Sequence, residues 1–212
     1  MIVVEPPGAP DLLVVGVVRG LVDEVPKALA RLEAFRPTAI GLGLTPEEAD
    51  SLREHFVGTA TEPLVPLAGT ETTEARALVR YGEVAVPQPT YLALLEWGRA
   101  RNVPVVGLDA DEDAQAEMFV AHIGYVELVR RTVGERSVGR RPPDSGDADS
   151  FALAWDAKAH PGRGSANYAT ARERALLGHL TELRGRGQRV AVVVDRERAP
   201  RLAEIVGSPP PG

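Results

Sequence analysis

Short, continuous apolar runs separated by longer amphipathic stretches are the feature that most limits how this chain can fold. Strands of continuous apolar residues occur where both faces of a sheet are covered. The pattern therefore predicts an α/β fold with a mainly parallel sheet and helices on both faces. The predicted strands are residues 12–18, 39–44, 83–86, 103–108 and 189–194.

The amphipathic stretches between these runs predict helices, and the second of them has an unusually clear start. Thr45 is a suitable N-cap, Pro46 fits the first helical position, and Glu48 completes a capping box. Strand–helix alternation continues along the 212 residues without a repeat, which indicates a single α/β domain at 1–206 and a flexible tail at 207–212. The predicted helices are residues 21–35, a helix beginning at Thr45, and 71–80, 89–101, 112–135 and 198–206.

Residues 137–167 interrupt the alternation, because they are rich in glycine, proline, aspartate and arginine. The stretch is too long for an ordinary connection between two elements. Two interpretations remain open at this point. It is a mobile lid beside a site, or it is an irregular surface loop without a special role.

Composition excludes several kinds of site. The chain has no cysteine, which rules out disulfides, thiolate zinc sites and cysteine nucleophiles. Its net charge of −6 disfavours general nucleic-acid binding, since a phosphate backbone needs a basic face. No apolar run is long enough for a membrane span, and the N-terminus lacks the pattern of a secretory signal, so we expect a cytoplasmic location.

The residues that follow each predicted strand are the first candidates for a site, because open α/β sheets bind ligands beyond the carboxyl ends of their strands. No nucleophile motif, phosphate-binding loop or dinucleotide fingerprint is present, and His160 is the one histidine that we consider as a candidate near a site. The residues that follow the strands are Arg19; Gly43 and Thr45; Asp109, Asp111, Glu112 and Asp113; and Asp195, Arg196 and Glu197.

Two charged clusters allow both a functional and a structural interpretation. The acidic residues 109–113 could bind magnesium, or they could cap the helix that begins there and offset its dipole. A basic cluster could contact an acidic partner, or it could be the solvated end of a helix. It consists of Arg130, Arg131, Arg136, Arg140 and Arg141.

Five segments between about Leu12 and Val206 have a familiar order. They are LLVVGVVRG, RPTAIGLGLTPEEADSLREHF, EVAVPQPTYLALLEWGRARNVPVVGLDAD, Trp155-Asp156 followed by Arg172-Glu173-Arg174, and RVAVVVDRERAPRLAEI. In this order they resemble the TraB family, within the superfamily that includes ChaN-like, erythromycin-esterase-like and Tiki proteins. The resemblance implies a fold like that of the ChaN-like and erythromycin-esterase-like proteins.

Departures from the family pattern fall on its expected metal-binding positions. Arg19 stands at the histidine of the first motif, Gly43 at the strand glutamate, and Arg196 and Glu197 at the second motif. Arginine is always protonated and cannot ligate a metal. We therefore expect no metal, no cofactor and no catalytic residue, and we expect an ion pair between Arg19 and Glu197 in place of the metal centre.

Three functions remain open. The first is a non-catalytic domain that binds a protein partner or a small molecule at the strand ends. The second is a metal-dependent hydrolase or peptidase-like enzyme of the superfamily, with Glu173, Asp109 or Glu197 as general base. The third is a structural module that forms a homo-oligomer, by default an isologous dimer. The residues expected to bind a ligand are Arg19, Asp109, Asp111, Glu173, Arg174, Arg196 and Glu197.

Overall fold

A five-stranded sheet forms the centre of the protein. The structure is a computed structural model that describes residues 1–6, 9–58, 69–186 and 188–207. The strands are β1 (Ile2–Val4), β2 (Leu12–Val17), β3 (Ala39–Leu42), β4 (Val105–Gly107) and β5 (Val190–Asp195), in the spatial order β1-β2-β5-β3-β4. Strands β2, β5, β3 and β4 run parallel, whereas β1 pairs antiparallel with β2. The predicted α/β class with a mainly parallel sheet is confirmed.

Helices cover the sheet and extend past the carboxyl ends of its strands. They are α1 (Glu24–Phe35), α2 (Pro46–Val57), α3 (Gly69–Leu78), α4 (Pro89–Arg101), α5 (Glu112–His122), α6 (Tyr125–Arg140), α7 (Ala148–Ala159), α8 (Arg163–Gly185) and α9 (Arg198–Gly207), with a 3-10 helix at Val79–Tyr81. The capping box predicted at Thr45 is present at the start of α2. None of the helices in the described ranges is long and apolar enough to cross a membrane. The tail predicted at 207–212 lies outside the described residues from 208 onward.

The two central strands bury alternate side chains on opposite faces of the sheet. In β2, Leu13, Val15 and Val17 pack against α1, α2 and α4, whereas Leu12 and Val14 pack against α8 and α9. Strand β5 divides in the same way, with Ala191 and Val193 on the first face. This period of two explains why the runs are apolar throughout, since both faces are buried.

A third core lies beyond the strand ends and corrects the prediction of an irregular loop at 137–167. Helix α6 runs to Arg140, and α7 and the start of α8 occupy most of the remainder. Asp147 caps α7 by accepting a hydrogen bond from the Ser150 amide at 2.8 Å. Phe151 and Trp155 of α7 are buried against Val18 and Leu21. The stretch is thus neither a lid nor irregular, because a buried apolar face holds α7 in place.

Three other elements differ from prediction. Residues 83–86 are not a strand of the sheet, since their backbone pairs with the turn after β2: the Ala85 amide donates to the Gly20 carbonyl at 2.9 Å. The helix predicted at 112–135 is two helices, because α5 ends before Ile123 and Gly124 is the N-cap of α6. Strand β1, which comprises three residues, was not predicted.

Candidate functional site

Charged side chains meet at the carboxyl ends of the parallel strands. Arg19 follows β2, Asp195 ends β5, and Asp109 follows β4, while α8 and α9 bring further charges from one face of the sheet. Strand β5 lies between β2 and β3, so the segment after it is central at this edge. We call these residues the strand-end cluster: Arg19, Asp109, Arg172, Glu173, Asp195, Glu197 and Arg198.

Arg198 is the centre of the buried part of the strand-end cluster. Its Nε and Nη2 donate to the two oxygens of Glu173 at 2.7 and 3.2 Å, a two-bond contact. Its Nη1 donates to Asp109 Oδ2 at 2.8 Å and to the Gly43 carbonyl at 3.0 Å. Side chains of this type are rarely buried unless they are paired, and here each charge has an opposite neighbour.

Gly43 makes room for this arginine. A Cβ atom at position 43 would lie 2.9 Å from Val194 Cγ1 and 3.1 Å from Arg198 Nη1. Any side chain there would compete with the guanidinium group for the same space. The glycine at the end of β3 and the arginine at the start of α9 are therefore complementary.

Asp109 has both oxygens engaged. Oδ2 accepts from Arg198 and also from Arg172, while Oδ1 accepts from the amide of Ala110 at 3.1 Å. The side chain is fully buried. Two guanidinium groups already neutralise this carboxylate. Its role is therefore structural, because it joins Arg172 of α8 and Arg198 of α9 to the strand end.

Arg19 pairs with Asp195 rather than with the expected Glu197. The Arg19 Nη2 donates to Asp195 Oδ2, and among the described residues no ion pair within 4.0 Å joins Arg19 to Glu197. Burial acts to raise the pKa of Asp195, but the guanidinium groups of Arg19, Arg198 and Arg172 together outweigh burial and lower it. The predicted Arg19–Glu197 pair is wrong, because Asp195 still belongs to β5 and faces the adjacent strand.

Glu197 is left as the carboxyl group with the weakest support from cations. Burial, followed by the negative charge of Asp195, raises the pKa of Glu197 from 4.5 to about 8, although Arg19 acts in the opposite direction. Near neutral pH most Glu197 side chains in the folded protein therefore carry a proton. A carboxyl group of this kind donates hydrogen bonds instead of holding a charge.

Tyr91 of α4 extends the site from the strand-end cluster to a cavity. The ring is buried, and burial together with the charge of Asp195 raises the pKa of Tyr91 well above its usual value, so its hydroxyl stays protonated. That hydroxyl has no hydrogen-bond partner among the described residues, and neither has Asp195 Oδ1. An unpaired donor and an unpaired acceptor are thus both buried here, and the charge of Asp195 acts on Tyr91.

The cavity beside Tyr91 measures about 620 Å³, and we call it the strand-end cavity. Its wall is largely apolar and comes from the turn after β2, from α2 and α3, and from residues 84–88. The buried Gln88 Nε2 at this wall also has no partner among the described residues. Arg19 lines the cavity, together with the glutamates Glu47, Glu48, Glu74 and Glu112.

The other residues expected to bind a ligand lie around the strand-end cluster. Asp111 caps α5 by accepting from the Ala114 amide at 2.8 Å, and Arg174 is exposed on α8. Arg196 donates to Asp149 at 2.7 Å, toward α7. His160 closes α7, with its ring nitrogen 2.7 Å from Asp156.

Sequence reasoning missed Tyr91, Arg172 and Arg198. Tyr91 lies in the first turn of a helix, where the sequence alone indicates an aromatic residue of the hydrophobic core. Arg198 sits at the start of α9, where a cation is not expected next to a helix dipole. The sequence did offer one indication of Arg198. It lies two residues after Arg196, in the segment after β5 that already supplied candidate site residues.

Comparisons with known proteins leave the chain without an assigned relative. No family model, no curated protein and no solved structure matches it. Within the described residues, no group of three or more histidine, aspartate or glutamate side chains is arranged to hold a metal ion.

Proposed function

We propose that this chain is a non-catalytic binding domain that holds a small, mainly apolar molecule in the strand-end cavity. The polar end of that molecule would carry a hydroxyl or carboxamide group. The observation that carries the proposal is that Tyr91 lines the cavity and that its buried hydroxyl lacks a partner among the described residues. Buried polar groups without partners are rare in native proteins and are costly unless a ligand or water completes them.

The size and wall of the cavity support this proposal. Small-molecule sites usually measure about 300–1,000 Å³ and combine apolar walls with a few polar groups. Leu44, Leu52 and Leu78 supply apolar wall here, and Tyr91 and Gln88 supply donors. A hydroxyl or carboxamide oxygen could accept from Tyr91 or from Gln88, which would satisfy a buried donor.

The charge around the cavity favours a ligand without negative charges. Glu47, Glu48 and Glu112 are exposed glutamates at the cavity, and Arg19 is already bonded to Asp195. A phosphate or another polyanion would be repelled by these three carboxylates. The positive charge of Arg19 would not offset this repulsion, because Asp195 already neutralises it. A neutral ligand, or one with an amine directed toward the glutamates, is not repelled by these carboxylates.

The non-catalytic part of the proposal rests on how the carboxylates are paired. Asp109 and Glu173 are held by Arg198, and Asp195 by Arg19, so these carboxylates are already engaged in ion pairs. We further propose that the domain is a divergent relative of the TraB family. In support, Arg19 and Gly43 stand at two positions that the resemblance assigns to metal-binding residues, and Arg198 occupies the space beside Gly43.

A fragment screen by NMR with the variant Tyr91→Phe tests the binding proposal. Neutral fragments that carry a hydroxyl or carboxamide should shift the amide signals of Gly20 and Tyr91. Phenylalanine removes one hydrogen bond and should weaken these fragments by about 2- to 10-fold without loss of stability. Tyr125→Phe, on an exposed helix, is the matched control. Fragments that shift other regions, or that bind Tyr91→Phe equally well, would refute the proposal.

An enzyme of the metal-dependent hydrolase type is the second candidate, and the raised pKa of Glu197 is the observation in its favour. A carboxyl group with a pKa near neutrality can transfer protons at working pH. Hydrolysis of a p-nitrophenyl ester with and without added manganese, compared between wild type and Glu197→Gln, tests it. Turnover that the substitution abolishes would support the enzyme, and equal background rates would reject it.

A further inference from the structure

The strand-end cavity has a buried part and a solvent-exposed part, and the two parts differ in chemistry. Tyr91 lines the cavity and is 2% exposed, and its hydroxyl has no hydrogen-bond partner among the described residues. Glu47 and Glu112 line the same cavity but are exposed to solvent. A molecule that fills the cavity therefore meets a neutral hydroxyl in the buried part and carboxylates in the exposed part.

Acidic side chains from three helices line the cavity. Glu47 and Glu48 lie in the first turn of α2, Glu74 lies on α3, and Glu112 begins α5. Against these four, the wall has a single basic side chain, Arg19, in the ranges that the structure describes. The chain as a whole has 30 acidic and 24 basic residues, so its composition alone does not explain so acidic a wall. The cavity therefore attracts cations and repels anions.

The charges of Glu47 and Glu112 are not neutralised by any residue that the structure describes. Within that part of the chain neither carboxylate has a hydrogen bond or an ion pair, whereas Glu48 accepts from the Thr45 amide at 2.9 Å. Each offsets the positive end of the helix whose first turn it occupies, but this effect is modest at an exposed site. Both carboxylates are therefore available to a cation bound in the cavity.

The buried part of the cavity offers hydrogen-bond donors. Gln88 Nε2 and the Tyr91 hydroxyl are both unpartnered within the described ranges, and both residues line the cavity. Gln88 is also the N-cap of α4, so the positive end of that helix lies beside it. Donors of this kind fit an oxygen acceptor. The negative charge of Asp195, which acts on Tyr91, makes a neutral oxygen more favourable there than a carboxylate.

We propose that the ligand of the strand-end cavity is an amphipathic amine. Its apolar body fills the cavity, an uncharged oxygen accepts from the donors of the buried part, and a protonated amine lies at the exposed rim beside Glu47 and Glu112. The inference rests on the proposed binding function and names the class of ligand within it. This placement keeps the positive charge in solvent and leaves a neutral group in the buried part, where an unpaired charge would be costly. Because the ion pairs are exposed, they contribute selectivity more than affinity, and salt should weaken them.

Three probes that share an aliphatic chain and a carboxamide test the amine. They are ε-aminocaproamide, ε-hydroxycaproamide and the monoamide of adipic acid, which end in an amine, a hydroxyl and a carboxylate. Titrations followed by the amide NMR signals of Gly20 and Tyr91 give the three dissociation constants. At about 20 mM salt the amine probe should bind about 3- to 10-fold more tightly than the hydroxyl probe, and at about 500 mM salt most of this preference should be lost. The carboxylate probe should bind more weakly than both.

Substitution of the two rim glutamates shows whether they cause the preference. Glu47→Gln and Glu112→Gln should each lower the preference for the amine probe by about 2- to 3-fold, and the double variant should abolish it. Glu96→Gln removes the same charge from an exposed site outside the cavity and should leave the preference unchanged. The hydroxyl probe should bind equally well to all four variants.

The outcomes separate this inference from the proposed function. If the amine and hydroxyl probes bind equally well, or if the double variant keeps the preference for the amine, the amine assignment is overturned while the binding function stands. If none of the three probes shifts the signals of Gly20 and Tyr91, both are overturned.

Discussion

Replacing Glu197 with glutamine should make the protein more stable at high pH than the wild type. In the folded protein the pKa of Glu197 is about 8, against an ordinary value of 4.5. The folded state therefore keeps the proton over a pH range in which the unfolded chain has released it. Stability contributed by Glu197 is complete below about pH 4.5 and is lost as the pH rises through about 8.

The size of the effect follows from the difference between the two pKa values. One pKa unit corresponds to about 1.4 kcal/mol, which gives an upper limit of about 4 to 5 kcal/mol above pH 8. The side chain of Glu197 keeps partial access to solvent, so screening by water reduces this limit. We expect glutamine to stabilise by about 2–4 kcal/mol at about pH 9, and by less than about 1 kcal/mol at about pH 5.

Urea unfolding followed by far-UV circular dichroism measures this difference at several pH values. Glutamine has nearly the shape of a protonated glutamate, so the two proteins should be closest in stability at low pH. Glu96→Gln, an exposed change on α4, is the control for the loss of one negative charge. The reasoning is refuted if the difference in unfolding free energy between wild type and Glu197→Gln does not vary with pH. It is also refuted if the wild type becomes more stable relative to the variant as the pH rises.

Two further predictions concern the buried part of the strand-end cluster, and urea unfolding measures both. Arg198→Met should destabilise the protein by about 3–5 kcal/mol, because it leaves the carboxylates of Asp109 and Glu173 buried with less positive charge. Arg174→Met on the exposed side of α8 is its control and should change stability by less than about 0.5 kcal/mol. Gly43→Ala should destabilise by about 1–3 kcal/mol, because its Cβ meets Val194 and Arg198. Gly178→Ala, in open space on a helix, should instead stabilise by about 0.5–1 kcal/mol.

Local patterns were enough to predict the elements of the sheet that are apolar on both faces. The runs at β2, β3 and β5 stand out because every residue in them is buried. The capping box at Thr45 was visible because its hydrogen bonds join residues only three apart. Helix α7 was missed because glycine- and proline-rich stretches surround it, although Phe151 and Trp155 have the spacing of a helix face.

Pairing within the site could not be predicted in the same way, because it depends on which strands are neighbours. Val17 and Asp195 are aligned in the parallel register of β2 and β5. Side chains alternate along a strand, so Arg19 and Asp195 project to the face that Val17 shares with Tyr91. A single sequence shows the strand ends, but it does not show that β5 inserts between β2 and β3. The sequence therefore predicted Glu197 as the partner of Arg19, whereas the actual partner, Asp195, lies two residues earlier.

Burial, together with the charge balance within the strand-end cluster, explains why Glu197 holds its proton. Arg19, Arg172 and Arg198 are permanently positive, and they are bonded to Asp195, Asp109 and Glu173. Three cations thus neutralise three carboxylates, and the fourth carboxyl group becomes neutral by binding a proton. A charged ligand entering beside Tyr91 would upset this balance in a poorly solvated place, where uncompensated charge is costly. A neutral hydroxyl or carboxamide leaves it intact and can still accept from the unpaired donors of Tyr91 and Gln88, which is why we favour that chemistry for the ligand.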